Sequence, residues 1–521
     1  MHPVLESQDI QKEIFRHLQV DGESRWQDVE ERKLQRQTLL NAALSGRTFK
    51  EQALAALWYC LTDIYCLLKL IPASCQLHVQ PFGVSEWVLM EPLKDESFTR
   101  LNVYAPLVRH LCYTEPHDIN PTTITQLSDF LQGKPLLPNL KFLLAWPTRS
   151  NEAILFLSPS LRRIYVNHPW TDVDALSPAA WHFIATIPQR APFVDDLEIL
   201  AYAPQSSWER LASLKHLRWL QVVLPRNEGL DIFAVFDQLG RIPTLELFHI
   251  VSTGPGVISR PRKPVEPVGV RWAFPVLQDF SFIGGLREMT ELLKRTRSER
   301  VLKVAYGYAY RSTDEPNDAQ EREEWDAVIT SLVRQYPTTC TDLLFFDETA
   351  PDQALSPTID VRSLRLLEGL SNLTYLSFEG IPCLNITDRD VDSMARAWPR
   401  LVTFSLSSIN GSEPNGDLSL ASMHSLARHC PKLKNLSLGV QHATMPRDHQ
   451  HNTLDSPSQL EEFLFASRIV GSAEELALSV RMIFPRLKKI SSWDTKCHGY
   501  LGGWNAFKGH CEDMVAEYLA R

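Results

Sequence analysis

The chain has 521 residues, of which 44% are apolar and 22% charged, and its formal net charge is −9. A single hydrophobic core usually stops growing near about 250–300 residues, so the chain either divides into domains or stacks repeats. The apolar content excludes disorder over most of the length. The negative charge argues against a nucleic-acid binder that works through a basic face.

The cysteines and the most apolar segments indicate a reduced protein without a membrane anchor. Nine cysteines lie far apart between Cys60 and Cys511, which is too sparse for a disulfide scaffold. The first twenty residues contain no apolar run typical of a signal peptide. The most apolar stretch, 53–72, is interrupted by Asp63 and Lys69, whereas a membrane-spanning helix needs about 20 predominantly apolar residues. We expect a cytoplasmic or nuclear protein.

Residues 1–72 are predicted to be helical throughout. In the segment SQDIQKEIFRHL, one apolar stripe follows a 3.6-residue period and consists of Ile10, Ile14, Phe15 and Leu18. The following residues, 21–36, carry many charges of both signs and fit either a loop or a solvated extension of a helix.

Three further helices are predicted before Pro72. The segment TLLNAALSG (38–46) places apolar side chains on one side, among them Leu40 and Leu44. The segment FKEQALAALWYCL (49–61) repeats apolar residues four apart and includes Leu57 and Trp58. The last helix is short and spans 62–71. Three or four helices of this size expose more apolar surface than they cover, so the surplus packs either on the next domain or on a partner's helices.

The sequences HPVLESQDIQKEIFRHL and LLNAALSGRTFKEQALAALW resemble an F-box of the kind common in mushroom-forming fungi. The residues that match are Glu13, Ile14, Phe15, Leu18, Ala43, Leu44, Ala53, Leu54, Leu57 and Trp58. The chain departs from the family pattern at Ser7, Gly46 and Phe49. The resemblance implies docking on a Skp-type adaptor and, through it, on a cullin scaffold. The expected adaptor-binding residues are Ile10, Ile14, Phe15, Leu18, Leu40, Leu44, Leu57 and Trp58.

The rest of the chain, 73–521, contains an irregular repeat of the form apolar-x-x-apolar-x-apolar. We find fourteen copies, starting at Val108, Leu140, Leu161, Leu197, Leu217, Leu245, Leu277, Val301, Leu343, Leu373, Leu401, Leu433, Leu460 and Leu487. The thirteen intervals span 379 residues and vary from 20 to 42, with a mean of about 29. Each copy alternates apolar and polar residues and therefore predicts a short strand with one buried face.

Helical patterns lie between the strands. In DRDVDSMARAWPRL and LASMHSLARHCPKL, apolar residues recur at helical spacing, and Pro399 and Pro431 follow each helix. One strand and one helix in about 29 residues is the leucine-rich-repeat plan. The segment ITDRDVDSMARAWPRLVTFSL is also similar to cysteine-containing leucine-rich repeats that follow F-boxes. We predict an α/β fold, a helical module (1–72) followed by a leucine-rich-repeat solenoid (73–521), with two unrelated α/β domains as the alternative. Loop insertions are expected at 251–270, 311–324 and 441–459.

No motif for a phosphate-binding loop, a nucleophile elbow or a zinc-binding helix occurs in the sequence. His442, His449 and His451 share a polar loop without the spacing of a zinc site. A second near-cluster, formed by Cys497, His498, His510 and Cys511, could coordinate zinc if a turn brought its two ends together, but we favour the interpretation that these residues are incidental. Asp195 and Asp196 adjoin a predicted strand, where we interpret them as a cap or a turn. We expect no metal, no cofactor and no catalytic residue.

Together these features predict a substrate receptor of an SCF-type ubiquitin ligase that binds an unknown protein target through its repeats. The main alternative is a leucine-rich-repeat scaffold in which the helices only seal the end of the array, as such arrays require. A less favoured alternative is an enzyme with an unrecognised site. We expect binding neither to nucleic acid nor to a membrane.

Overall fold

A computed structural model of the chain describes residues 7–19, 29–72, 74–79, 84–113, 119–146, 151–167, 178–200, 205–225, 232–253, 272–298, 300–308, 318–347, 359–379, 381, 383–407, 418–439, 458–465 and 479–492. The chain forms two compact units. Unit 1 contains Met1–Leu224 and Leu230–Leu245, and unit 2 contains Pro225–Gly229 and Glu246–Arg521. The predicted boundary at residue 72 lies within unit 1 and stays a prediction.

Within its described residues, 7–19 and 29–59, the N-terminal segment is mostly helical, as predicted. Its elements are α1 (Gln8–Arg16), α2 (Val29–Ser45), α3 (Arg47–Tyr59), β1 (Cys60–Leu61) and α4 (Tyr65–Leu68). The prediction of a helix through residue 61 is wrong, because α3 ends at Tyr59 and the next two residues form β1, which pairs with a strand of the sheet. Apolar spacing continues across the junction and therefore does not reveal where the helix ends. The polar stretch before residue 37 is partly the first half of α2.

Unit 1 continues with a hairpin and a series of parallel strands. Its remaining elements are β2 (Ser74–Val79), β3 (Val84–Leu89), α5 (Thr99–Tyr104), β4 (His110–Tyr113), α6 (Pro121–Leu131), β5 (Phe142–Ala145), β6 (Arg163–Asn167), α7 (Pro178–Arg190), β7 (Asp196–Leu200), α8 (Gln205–Leu211), β8 (Trp219–Pro225) and α9 (Ile232–Leu239). Strands β2 and β3 are antiparallel. The other strands are parallel in the order β1-β4-β5-β6-β7-β8.

Unit 2 repeats the same plan. Its elements are β9 (Leu247–Thr253), β10 (Trp272–Ala273), β11 (Asp279–Gly284), α10 (Leu286–Arg295), β12 (Thr296–Arg297), β13 (Lys303–Tyr308), α11 (Asp318–Gln335), β14 (Asp342–Asp347), β15 (Ile359–Asp360), α12 (Val361–Leu366), β16 (Tyr375–Glu379), β17 (Cys383–Leu384), α13 (Asp388–Ala397), β18 (Thr403–Ser407), α14 (Leu420–His429), β19 (Asn435–Leu438), β20 (Glu462–Phe465) and β21 (Lys489–Ser492). The long parallel sheet has the order β9-β11-β13-β14-β16-β18-β19-β20-β21. Two short parallel pairs, β10 with β12 and β15 with β17, accompany it.

The predicted leucine-rich-repeat fold class is confirmed within each unit. All fourteen predicted copies contain a strand, and helices alternate with the parallel strands. In the copy that starts at Leu140, for example, the apolar residues Leu140, Leu143 and Ala145 are all buried. Because successive side chains of a strand point to opposite faces, the residues between them lie on the open face of the sheet.

A recurring backbone contact marks the entry to each strand. The carbonyl of Arg109 accepts two hydrogen bonds, from the N–H groups of Lys141 at 2.7 Å and Phe142 at 3.0 Å. The carbonyl of Lys141 accepts two from the following copy, from Arg162 and Arg163, both at 3.0 Å. The same pattern recurs at the carbonyls of Arg162, Asp195, Glu246, Gln278, Leu302, Thr341, Thr374, Val402, Lys434 and Glu461. This repetition shows that the copies are structurally equivalent despite their uneven lengths.

Two copies start three residues earlier than the sequence pattern indicates. Leu197 pairs with Ile164, the fourth residue of its copy, so that the unit begins at Val194. Leu343 likewise pairs with the fourth residue of the preceding copy, so that this unit begins at Cys340. Val194 and Cys340 are buried and replace the usual leucine, which is why a leucine pattern misses them. The corrected intervals range from 21 to 39 residues.

The loop predictions are wrong where they overlap regular structure. Residues 251–253 belong to β9, and residues 318–324 form the start of α11. The sequence DAQEREE is polar, but it consists mostly of good helix formers. The remainder of the first two loops, and all but the last two residues of 441–459, lie outside the described residues. Within the part of the chain that is described, no helix is long and apolar enough to span a membrane.

Candidate adaptor-docking surface

The N-terminal helices enclose a small core of their own. Phe15 of α1 is only 6% exposed and packs with Leu39 and Ala43 of α2 and with Ala53 and Ala56 of α3. A further aromatic contact closes this core: the rings of Phe15 and Phe49 meet edge to face, with centroids 6.1 Å apart. The predicted apolar stripe of α1 is therefore divided between the core and the surface.

Four of the eight predicted adaptor-binding residues are exposed. Ile10 and Ile14 lie on the surface of α1, and Leu40 and Leu44 lie on the surface of α2. Leu44 has the highest exposure of the four, at 76%. Exposed branched side chains on two neighbouring elements cost free energy in water and are typical of an interaction surface.

The other four predicted residues are covered to different degrees. Phe15 is a core residue, so its truncation removes packing within the module rather than a surface contact. Leu18 and Leu57 are partly buried against the same core. Trp58 is half-buried and stacks on Tyr104, with ring centroids 4.7 Å apart.

A groove of about 620 Å³ borders this surface. Its lining residues come from α2, α3 and the segment that follows, and they are Arg32, Lys33, Arg36, Gln37, Leu40, Leu57, Trp58, Leu61, Thr62 and Cys66. Three of the predicted adaptor-binding residues, Leu40, Leu57 and Trp58, are thus brought together. The groove combines an apolar floor with cationic side chains, which suits a partner segment that carries apolar and acidic residues.

The cationic residues of the groove were not predicted as functional. In the sequence, Arg32, Lys33 and Arg36 belong to a stretch with charges of both signs, so that nothing distinguishes them from a solvated helix face. In the structure, the Arg36 guanidinium donates a hydrogen bond to the carbonyl of Cys60 at 3.1 Å, which fixes it at the junction of α2 and β1. The one feature of the sequence that could have indicated these residues is that they recur about one helical turn apart, which places them on one side of α2.

Cys66 is the nucleophilic group of the groove, and its environment disfavours the thiolate. Burial raises the pKa of the Cys66 thiol, and the nearby Asp63 carboxylate raises it further, against the opposing effect of Arg36 and Lys69. Since the thiolate is the reactive form of cysteine, Cys66 is a poor nucleophile here. The groove is therefore suited to binding rather than to covalent chemistry.

Neither of the histidine and cysteine clusters considered for metal binding lies in the described residues. Among the residues that the structure does describe, no group of three or more histidine, cysteine, aspartate or glutamate side chains could hold a metal ion. The cysteines that the structure describes form no disulfide bond; they are Cys60, Cys66, Cys112, Cys340, Cys383 and Cys430.

Comparison with known proteins gives structural similarities only. No family model and no curated protein matches the chain. Among solved structures, it is similar to a leucine-rich-repeat protein of Leptospira interrogans, at 14% identity over 68% of this chain and 73% of that one, with a TM-score of 0.30. An internalin of Listeria monocytogenes matches at 11% identity over 80% and 88% of the two chains, with a TM-score of 0.32. The Rad7–Elc1 complex of yeast matches at 15% identity over 65% and 82%, also with a TM-score of 0.32.

Proposed function

We propose that the chain is a non-catalytic substrate receptor of an SCF-type ubiquitin ligase. Its N-terminal module docks on a Skp-type adaptor and through it on a cullin scaffold, while its repeats hold a protein target. A receptor of this type forms no covalent bond itself. It acts by raising the effective concentration of the target's lysines near the conjugating enzyme.

The observation that carries this proposal is the apolar surface of α1 and α2. Ile10, Ile14, Leu40 and Leu44 are exposed on helices whose opposite faces already share a core around Phe15. The module thus has its own packing and still leaves apolar side chains uncovered within unit 1. A helical partner surface would cover them and recover the free energy of their burial. The F-box resemblance of the same residues supports a Skp-type adaptor as that partner.

The adjoining groove indicates which kinds of side chain the adaptor should present. Its cations, Arg32, Lys33 and Arg36, border Leu40 and the other apolar lining residues. An adaptor helix with acidic residues next to apolar ones would match both parts of this surface.

One observation favours the alternative of a scaffold with a helical cap. Cys60 and Leu61 pair in parallel with His110 and Leu111, so that the N-terminal helices run directly into the first strand of the sheet. A terminal cap of a repeat array has to cover the end of the sheet in this way. The two roles differ in whether a Skp-type adaptor binds.

The test is binding of the full chain to a purified Skp-type adaptor, measured by calorimetry. We expect Leu44→Asp to weaken binding at least tenfold, about 1.4 kcal/mol, because it places a charge in an apolar contact. Since Leu44 is exposed, the melting temperature should stay unchanged. Met482→Asp makes the same change in charge at a 77% exposed side chain of unit 2 and should bind like the unmodified chain. Absence of adaptor binding by the unmodified chain would favour the scaffold.

A further inference from the structure

A continuous row of aromatic rings runs from the end of α3 across the open face of the sheet in unit 1. The row consists of Tyr59, His110, Phe142, Tyr165 and Trp219, which we call the aromatic row. Successive ring centroids are 4.8, 5.5, 5.1 and 6.0 Å apart. Phe142 is buried beneath its neighbours, while the other four rings are half-buried and keep part of their surface accessible. Large rings on a sheet face that is open to solvent are not needed by the repeat core, which lies on the other side.

Asp196 lies within this row, at its Trp219 end. The strand register aligns Asp196 with Arg163 on one side and with Trp219 on the other. One carboxylate oxygen, Oδ2, accepts a hydrogen bond from the Tyr165 hydroxyl at 3.4 Å and lies 3.7 Å from Nε of Arg163. The other oxygen, Oδ1, is buried and has no hydrogen-bond partner among the described residues. Half of this carboxylate is therefore unsatisfied.

The surroundings of Asp196 are acidic. Burial raises the pKa of Asp196 to about 7, against the lowering effects of Arg163 and the Tyr165 hydroxyl, while Asp195 and Glu198 add to the increase. Asp195 and Glu198 therefore add negative charge near Asp196, whose ion-pair partner Arg163 is itself 44% exposed to solvent. A second cation beside the Asp196 carboxylate would offset this negative charge.

We propose that the Trp219 end of the aromatic row, together with Asp196, binds a lysine- or arginine-bearing segment of a partner protein. The cationic side chain lies over the rings of Tyr165 and Trp219 and beside the Asp196 carboxylate, whose side chain is 17% exposed. Ring faces attract cations through their quadrupole, and this attraction is strongest at tryptophan and where water is partly excluded. Tyrosine and tryptophan are also the residues that most often anchor protein interfaces.

Charge complementarity selects this partner over an acidic one. An acidic segment would gain Arg163 but would meet Asp195, Asp196 and Glu198 at the same position. A neutral apolar segment would cover the rings but would also cover the partly exposed Asp196 carboxylate without supplying a counterion, which is costly. A basic segment satisfies both the rings and the carboxylate.

This proposal adds a class of ligand to the proposed receptor function. It rests on that function only where it takes the bound partner to be a ubiquitination target. The two proposals can fail separately, because adaptor binding depends on α1 and α2 and segment binding depends on β6 to β8.

The experiment is a selection of phage-displayed random 12-residue peptides on the full chain, repeated on variants. We expect the selected peptides to be enriched in lysine and arginine over the starting library. The best peptide, made synthetically and measured by fluorescence polarisation, should bind about tenfold more weakly to Trp219→Ala and to Asp196→Asn. Asp196→Asn preserves the shape of the side chain, so it keeps the test valid if Trp219→Ala disturbs the fold.

Trp181→Ala is the matched control, because Trp181 is an exposed tryptophan on helix α7 of the same unit. It should bind the peptide like the unmodified chain. The proposal is overturned if the selected peptides show no excess of basic residues, if acidic peptides are enriched instead, or if Asp196→Asn binds the basic peptide with unchanged affinity.

Discussion

The sheets of the two units share their buried pattern and differ on their open faces. At the fourth position of their copies both units bury apolar side chains, such as Leu143 in unit 1 and Leu436 in unit 2. On the open face, the strands of unit 1 carry most of the aromatic row. At the position that matches Phe142, the neighbouring strands β16, β18 and β19 of unit 2 carry Tyr375, Thr403 and Asn435 in register, of which only Tyr375 is aromatic.

Unit 2 is not poor in aromatic residues; it places many of them on the other face. Phe345 and Phe378 stack with centroids 4.7 Å apart, and both are buried in the core. Phe142 of unit 1 stands three positions earlier in its copy than Ala145, the equivalent of Phe345, and therefore lies on the face that alternation turns outward. Because a shift by one residue moves a side chain to the other face, the same composition yields a core in one unit and a candidate binding face in the other.

The largest expected effect tests the shared part of the comparison. Leu143→Ala and Leu436→Ala remove equivalent buried side chains, so each should lower the free energy of unfolding of its own unit by about 2–5 kcal/mol. Denaturant titration measures the loss. Because a repeat array opens locally, hydrogen exchange should rise first in the neighbouring strands, β18 and β20 for Leu436→Ala and β4 and β6 for Leu143→Ala.

An increase in exchange that is equal in all strands of both units would contradict local opening. A loss well below 1 kcal/mol at only one of the two positions would show that the buried pattern is not equivalent in the two units.

An intermediate effect is expected at a polar contact between two repeats of unit 2. The Asp388 carboxylate, at the start of α13, accepts hydrogen bonds from the Ser419 N–H at 2.9 Å, from the Ser419 hydroxyl at 2.6 Å and from the Ser422 hydroxyl. Asp388→Ala leaves these donors without their partner and should cost about 1–3 kcal/mol in the free energy of unfolding. Glu291→Ala, which removes partly exposed ion pairs with Lys294 and Arg295 of the same helix α10, should cost less than about 1 kcal/mol. Equal losses would mean that Asp388 does not tie the repeats together.

Much of the fold could be predicted because the core of a repeat is encoded locally. Every copy places its apolar residues at fixed offsets, and this pattern was sufficient to predict all fourteen strands. The helices α13 and α14 followed from their apolar spacing and from the prolines after them, and their predicted core residues, such as Met394 and Met423, are buried. The copies predicted to begin at Leu197 and Leu343 were placed three residues too late, because valine and cysteine occupy their first position in place of leucine.

The candidate sites were harder to predict because they depend on contacts between distant segments. Periodicity places Phe15 and Ile14 on one stripe, but only the packing of α1 on its neighbours decides that Phe15 is buried and Ile14 exposed. Asp196 was interpreted as part of a cap or a turn, whereas the structure places it inside β7, between Arg163 and Trp219. No local signal relates these three residues, which are separated by more than twenty positions each along the sequence.

The smallest expected effect is a change in the pH dependence of stability, and it comes from Asp196 on the open face of unit 1. The pKa of Asp196 is about 7 in the folded chain and about 3.9 in an unfolded one. Between these values the folded chain binds more protons, so the contribution of Asp196 to stability falls as the pH rises from about 4 to about 7. Asp196→Asn removes this contribution, because asparagine does not titrate.

The melting temperature of Asp196→Asn relative to the unmodified chain should therefore increase between pH 5 and pH 8. Asp392 provides a control of opposite sign: burial opposes ionisation there, but hydrogen bonds from Arg396 and Ser425 lower the pKa of its carboxyl overall. A carboxyl with a lowered pKa stabilises the fold above its unfolded pKa and loses this effect in acid, so Asp392→Asn should become relatively less stable as the pH rises from about 3 to about 5. A relative melting temperature of Asp196→Asn that does not change with pH would contradict the raised pKa of the Asp196 carboxyl in the folded chain.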